Sequence, residues 1–547
     1  MANSDELVFL PLGGSGEIGM NFNAYGFGPP HRRQWIVVDC GITFGRETDA
    51  PGVDVILPDI RYLAEKKEQV LGIVATHAHE DHIGAIAPLW PQLKCPIYAT
   101  PFTARLIEGK LAEAGLAVPV THVPLEGKLT LGPFAIDFIS ITHSILEPNL
   151  LAIRTPLGVI AHTGDWKLDP EPILGAVTDS AAIQKLGDEG VLALVCDSTN
   201  ALAQGHSGSE AEVRESLTEL IGHLKKRVAV TAFASNVARL DSIAHAARIH
   251  KRKLVLAGRS MHKIVAAARD SGYLADFPVT LDARDASDLA ARDVLYLVTG
   301  SQGEPRAALA RIADGNHPDV ELGKGDAVIF SSRIIPGNDI AIHDLHNKLS
   351  ALGVEVLTAE DHFVHVSGHP ARDELAQMYR WTRPQIAVPV HGEQRHMAEH
   401  ARLAKSLQVP QALVPANGQL YRLAPGPAEL IDEVPSGRLH MDGRVLVAEG
   451  EGLAKARRAM SYAGLIAITL VLDDKGRAAT DAAILAEGMP EAVESAVRLA
   501  VDETVRRYNP KKTDTDELRE TVRRAARRAA LEAWGKKPVT RVTVVEL

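Results

Sequence analysis

The sequence predicts an α/β protein of several domains, and three observations carry that expectation. Short apolar strands ending in polar residues fill the first two hundred positions, and strands alternating with helices follow from about residue 205. After about residue 455 a long apolar strand leads into two helices and a closing strand. At 547 residues the chain is also too long for one ordinary core.

Residues 7–90 read as strands joined by glycine turns. Val8-Phe-Leu-Pro-Leu runs into Gly13-Gly-Ser-Gly-Glu-Ile-Gly, Trp35-Ile-Val-Val precedes Asp39, and Leu71-Gly-Ile-Val-Ala precedes a histidine run. The glycine segment lacks the spacing of a dinucleotide fingerprint and no clear helix follows it, so it reads as a turn. From 205 onward, strands at 227–231, 253–257, 294–299 and 327–331 alternate with helices at 235–250, 305–313 and 338–352. That alternation implies a parallel sheet covered on both faces. Histidine-rich segments resume at 361–400, so this domain looks inserted into the first. The expected division is 1–205 and 361–425 for the two parts of the first domain, with 206–360 as the insertion. A Pro/Gly-punctuated stretch at 426–454 reads as a linker, and 455–547 as a small α+β C-terminal domain. In its second helix Leu518, Val522, Ala525 and Ala529 form a core-facing stripe, while Arg523, Arg524, Arg527 and Arg528 read as a solvated or subunit-facing surface rather than an RNA-facing one.

Composition narrows the function classes. With 46% hydrophobic and 23% charged residues and no apolar run of spanning length, a membrane protein is not expected. Three scattered cysteines argue against a disulfide framework, and the N-terminal Met-Ala-Asn-Ser-Asp-Glu-Leu shows no secretory pattern, so a cytoplasmic location is expected. The net charge of −10 counts against a generic nucleic-acid binder. It does not exclude one, because phosphate affinity depends on local potential and bound cations.

The chemistry concentrates in His77-Ala-His79-Glu-Asp81-His82, directly after a buried strand. One histidine is usually a satisfied polar side chain. Three histidines and an aspartate within six residues supply the imidazole and carboxylate donors that divalent metals take at about 2 Å. Ile141-Thr-His143, Ala161-His162-Thr-Gly-Asp165 and Val390-His391-Gly-Glu each place further donors at strand ends. In Phe363-Val-His365-Val-Ser367-Gly-His369, an extended backbone puts His365, Ser367 and His369 on one face and Val364 and Val366 toward a core. Gly368 would let a backbone or phosphate come close. Ser235, in Phe233-Ala-Ser235-Asn236, is placed to cap the next helix, whose free N–H groups favour a phosphate.

These motifs resemble a known family. His-Ala-His-Glu-Asp-His matches the H-x-H-x-D-H signature of the metallo-β-lactamase superfamily, and Asp39 in Val-Val-Asp-Cys-Gly matches its first motif. The inserted domain, Cys196-Asp197-Ser-Thr-Asn, Val366-Ser367-Gly368-His369 and Pro389-Val-His391-Gly-Glu resemble its β-CASP branch, and within that the bacterial ribonuclease J family over nearly the full length. The resemblance implies an αββα metallo-β-lactamase sandwich with an inserted parallel-sheet β-CASP domain.

It also implies two divalent metal ions. One would be held by His77, His79, His143 and Asp165, the other by Asp81, His82, His391 and the shared Asp165. Zinc is the first expectation, manganese or magnesium the alternatives. Asp39 and Asp197 would orient ligand histidines, and His162 reads as structural. His369, Asp81 and Asp165 are the expected catalytic groups. Ser235, Asn236, His365, Val366, Ser367, Gly368 and His369 are expected to contact RNA phosphates, with Thr299 to Glu304 and Ser331 to Arg333 along the RNA path. The activity implied is phosphodiester hydrolysis in RNA maturation and decay, 5′-to-3′ exonucleolytic on 5′-monophosphorylated RNA and endonucleolytic. RNA, a second copy of the chain in a homodimer or homotetramer, and RNA-decay proteins are the expected partners. The competing readings are a DNA or RNA 3′-end nuclease, a small-molecule metallo-hydrolase, and an inactive RNA-binding subunit, which would be expected to lack some of these donors.

Overall fold

A computed structural model describes residues 5–45, 50–512 and 514–547. The first four residues, part of the stretch read as lacking a leader, lie outside them, as do positions 46–49, which the sequence reading puts in the first domain. The chain divides into two compact units, one of residues up to 43 plus 57–437, the other of 44–56 plus 438–547.

The first unit is built on two sheets. In the eight-stranded one the order is Glu429–Glu433, Gln419–Ala424, Glu6–Gly13, Phe22–Gly28, Gln34–Val38, Val70–Val74, Ile97–Ala99 and Val120–His122. The seven-stranded one runs Lys128–Leu131, Phe134–Ser140, Asn149–Thr155, Gly158–His162, Val191–Asp197, Ile386–Val390 and Gln411–Ala412. Alternation along these strands sends Phe9, Tyr25, Ile36 and Val74 from one sheet against Phe138, Leu151, Ile153 and Val195 from the other in a single buried cluster. The opposite face of the second sheet, with Leu150, Trp166 and Leu194, packs on Ile183, Met378 and Leu403 from three helices. Helix Pro101–Glu113 packs on the edge strands of the first sheet. This is the expected αββα sandwich.

Strand Val191–Asp197 leaves the sandwich, and Ile386–Val390 returns beside it in parallel register, Ala193 opposite Ile386. Between them lies a separate five-stranded sheet ordered Lys253–Ala257, Val294–Val298, Val228–Thr231, Ala327–Phe330 and Glu355–Leu357, with every pair parallel. Its strands are buried on both faces, as continuous Val/Leu/Ile runs require.

In the second unit, strand Leu465–Leu472 alternates strictly between buried and half-buried positions. Its buried side meets Val493, Val497, Leu518, Val522 and Ala526 of helices Glu491–Arg507 and Thr515–Trp534. Arg523 and Arg524 pair with Glu520, and Arg528 with Glu532, on the helix surface.

The stretch read as a linker is structured. Glu429–Glu433 joins the eight-stranded sheet, and Arg438–Asp442 pairs with Val445–Ala448 across a two-residue turn at Gly443 and Arg444. Its prolines and glycines punctuate short strands rather than a free tether. Among the described residues no helix is long and apolar enough to cross a membrane.

Candidate metal centre

Four strand ends deliver the site. After Val70–Val74 the chain carries His77 and His79 into the short helix Glu80–Ile83, which holds Asp81 and His82. His143, Asp165 and His391 follow strands Phe134–Ser140, Gly158–His162 and Ile386–Val390 of the other sheet. All seven residues converge. Two sets of four, His77, His79, His143 with Asp165 and Asp81, His82, His391 with Asp165, each place one donor atom per residue within 4.8 Å of all the others.

The spacing is that of a coordination shell. His79 Nδ1 lies 3.1 Å from both His77 Nε2 and His143 Nε2, and Asp165 Oδ2 lies 3.9 and 3.8 Å from those two nitrogens. Across the centre, His82 Nε2 is 3.1 Å from Asp165 Oδ2, His391 Nε2 is 3.0 Å from Asp81 Oδ2, and His82 Nε2 is 3.7 Å from the same Asp81 oxygen. Ligands about 2.0–2.2 Å from a tetrahedral metal sit about 3.4 Å apart. Asp165 Oδ1 is buried without a hydrogen bond; its neighbour His391 Nδ1 is 3.3 Å away but outside bonding geometry. An orphaned carboxylate oxygen beside inward-facing imidazole lone pairs fits a bound divalent cation.

The outer ring nitrogens explain why those lone pairs face inward. His82 Nδ1 donates to Asp39 Oδ2 at 2.7 Å, and Asp39 also accepts from Thr76 N and Oγ1. His143 Nδ1 donates to the Gly368 carbonyl at 2.5 Å. His391 Nδ1 faces Thr199 Oγ1 at 2.9 Å and Asp197 Oδ1 at 3.4 Å, while its backbone N–H is held by the Gly14 carbonyl. The glycine segment, expected as a turn, bends at Gly14 and then pairs Ser15–Gly16 with Gly392–Glu393, so that it braces a histidine, a role its sequence did not reveal. His162 points away, bonded to the Tyr25 hydroxyl at 2.8 Å.

Burial, reinforced by neighbouring histidines, pushes His77 down, and burial likewise pushes His143 down and His79 to about 4, so all three are neutral donors. Burial opposes charge on His82 and His391, but Asp165 and the other carboxylates outweigh it, raising both, His391 to about 10. Asp81 and Asp165 stay ionised despite burial, held down chiefly by His82 and His391, with Asp165 at about 2. On the side of His82 and His391 the carboxylates thus favour positive charge, while the first donor set is held neutral.

The residues assigned to substrate divide. Val364 and Val366 are buried while His365, Ser367 and His369 are part-exposed, as alternation predicts, although the segment pairs with no strand. His369 joins the centre: its Nδ1 is 2.7 Å from Asp197 Oδ2 and 3.8 Å from Asp165 Oδ2. Ser367 Oγ accepts from Asn200 Nδ2 at 2.7 Å. Gly368 does permit close approach, but the group approaching is protein: a Cβ there would lie 2.8 Å from His143 Cε1 and 2.6 Å from Ser144 Oγ. The cap of helix Val237–Ile249 is Asn236, not Ser235, because its side chain reaches the third N–H of the helix, that of Arg239. Farther out, Ser301 and Gln302 are buried. Gln302 binds the Arg333 carbonyl and accepts from Ile335 N, which braces the loop instead of facing solvent.

Comparison with known proteins agrees with this architecture. Residues 23–229 match the metallo-β-lactamase superfamily, 225–349 the ribonuclease J β-CASP domain, 353–412 the Zn-dependent metallo-hydrolase RNA specificity domain, and 453–547 the ribonuclease J C-terminal domain. Ribonuclease J of Sinorhizobium meliloti is 46% identical over 557 aligned residues, covering 100% of this chain and 98% of that one. Ribonuclease J of Thermus thermophilus is 36% identical, covering 99% and 96%. A crystal structure of a protein of unknown function from Enterococcus faecalis shares the fold, with a TM-score of 0.53 at 15% identity over 76% of this chain and 99% of that one. Fold and donor set define a metal-dependent hydrolase of the metallo-β-lactamase superfamily with a β-CASP insertion. Within that class, the chain belongs to the ribonuclease J family.

Proposed function

We propose that this chain is a metal-dependent ribonuclease that removes nucleotides 5′ to 3′ from RNA bearing a 5′-monophosphate and also cuts internally. The single observation carrying the reading is the convergence of both four-residue donor sets on one shared carboxylate, Asp165, beside His369. His77, His79, His143 and Asp165 would hold one divalent ion, and Asp81, His82, His391 and Asp165 a second, with zinc best suited to the donors. When bound, the ions act as Lewis acids that activate water and offset charge on the phosphoryl oxygens.

His369 has its Nδ1 committed to Asp197, which leaves Nε2 to pass a proton to the leaving oxygen. The Asp197 carboxylate raises His369 against the opposing effect of burial, keeping that proton in place. Asp39 and Asp197 hold ring orientation. Ser235, Asn236 and the run His365, Val366, Ser367, Gly368 and His369 would receive the phosphates near the RNA 5′ end. The domain division at 205, 360 and 425, a cytoplasmic location, RNA-decay partners, and a homodimer or homotetramer complete the proposal.

The test is digestion of 5′-labelled RNA with monophosphate, triphosphate or hydroxyl ends, with and without chelator. Mononucleotides released fastest from the monophosphate substrate are expected, with internal fragments marking the endonuclease. No cleavage of any RNA in the presence of metal would overturn the reading.

A further inference from the structure

Between the sandwich and the inserted sheet lies a buried chain of charged groups that the chemistry above does not use. It starts two residues past Asp165. Lys167 Nζ bonds Asp169 Oδ2 at 2.9 Å and the Gly208 carbonyl at 3.1 Å. Asp169 in turn accepts from Ser209 Oγ at 2.7 Å and from Glu210 N at 2.9 Å. The Glu210 carboxylate then accepts from one edge of the Arg239 guanidinium, Nε at 3.0 Å and Nη2 at 2.8 Å, and also from Asn236 Nδ2 at 3.1 Å. Arg239 is 1% exposed, and its remaining fork, Nη1, reaches the Ser331 carbonyl and hydroxyl at 2.9 and 2.8 Å and the Val364 carbonyl at 3.1 Å.

The Arg239–Glu210 pair therefore ties together four stretches of chain. They are the crossing into the inserted domain at Glu210, the Asn236 cap, the end of strand Ala327–Phe330, and the start of the run ending at His369. Beyond Val364 the contact tightens, since a Cβ on Gly208 would meet Val366 Cγ1 at 2.7 Å. Asn200 then holds Ser367 Oγ and the His369 carbonyl. A buried ion pair of this kind adds little net stability compared with well-packed apolar residues, but its planar fork admits few geometries. Its physical signature is registration.

We infer that the Arg239–Glu210 pair is a positioning element. It fixes the distance between the segments facing the RNA 5′ end and the metal centre, and so sets how strongly cleavage depends on that end. The inference rests on the assignment of Asn236 and His365 to the 5′ end of the RNA. With both segments pinned through the Arg239–Glu210 pair to the turn that follows Asp165, a terminal phosphate seated on them meets the centre at a fixed reach. Loosening the pair leaves the metal ligands in place but lets that reach vary, and a misplacement of about 1 Å costs on the order of 100-fold in rate.

The experiment compares the wild-type enzyme with Arg239→Lys, Arg239→Met and the double variant Arg239→Met/Glu210→Met. The double variant removes both charges, so it remains informative if Arg239→Met fails to fold around an unpaired Glu210. Each protein is assayed for mononucleotide release from 5′-monophosphorylated RNA and for hydrolysis of bis(p-nitrophenyl) phosphate, a small diester that needs only the metal centre. Metal content is measured in parallel. The methionine variants should lose roughly 10- to 100-fold in mononucleotide release and most of their preference for a monophosphate over a hydroxyl end. Their hydrolysis of the small diester should stay within about twofold, with metal content unchanged, and Arg239→Lys should fall between. Equal losses on both substrates, or full retention of end preference in the double variant, would overturn the inference. A wild-type enzyme that hydrolyses the diester but shows no 5′-end preference would instead remove the assignment on which it rests.

Discussion

Asp39 shows how a single residue outside the donor sets governs them. Its Oδ2 accepts from His82 Nδ1 and its other oxygen from the Thr76 N–H, so the His82 ring is held with its Nε2 lone pair toward Asp165. Asp39→Asn would turn an N–H against the N–H of His82. Loss of the second partner of a metal-bound histidine costs about 10- to 100-fold in metal affinity, and metal retained after dialysis against graded chelator should fall by that factor. At this scale the sequence was most legible where chemistry is dense. His77 to His82, together with His143, Asp165 and His391, could be read because so many strong donors crowded at strand ends would be left unsatisfied without a cation among them. The braces were hidden. Thr199, Asn200 and the Gly14 carbonyl are ordinary groups whose role exists only through partners, His391 and Ser367, that lie far along the chain.

Among the elements, the run from Val364 to His369 departs most from a regular form while doing the most. It joins no sheet, yet its period-two burial survives because Val364 and Val366 are anchored on the protein side. Its glycine is required by His143. Gly368→Ala would drive a methyl group to 2.8 Å from the His143 ring, which cannot move without leaving Asp165 and His79. Ribonuclease activity should fall at least about tenfold, with part of the bound metal lost, as read by metal analysis of the purified variant. Sequence periodicity anticipated the two C-terminal helices, 491–507 and 515–534, although the buried stripe of the second runs through Leu518, Val522, Ala526 and Ala530, one position on from the expected Ala525 and Ala529. It misplaced the cap at 235 because serine and asparagine both cap well, and only the local turn decides which reaches the free N–H.

For the whole molecule, the two compact units make separate claims on stability. The donor sets all belong to the unit built from residues up to 43 and 57–437. Calorimetry should therefore show two unfolding transitions, of which chelator lowers one and leaves the other in place, since a ligand stabilises only the unit that binds it. A single transition moving as one would contradict this. The apolar pattern made the α/β insertion legible, but not the fate of residues 426–454, whose short strands look like punctuation until their partners, such as Gln419–Ala424, are known. The return strand Ile386–Val390 has a consequence for synthesis. Asp81 and His391 face each other across 310 positions of chain, and His369 also arrives only after the insertion. Chains emerge N-terminus first. While the early donors Asp81, His82 and Asp165 are already made, the second donor set still lacks His391, so the growing polypeptide holds an unfinished metal centre. The complete donor constellation therefore exists only in a chain whose synthesis has passed His391.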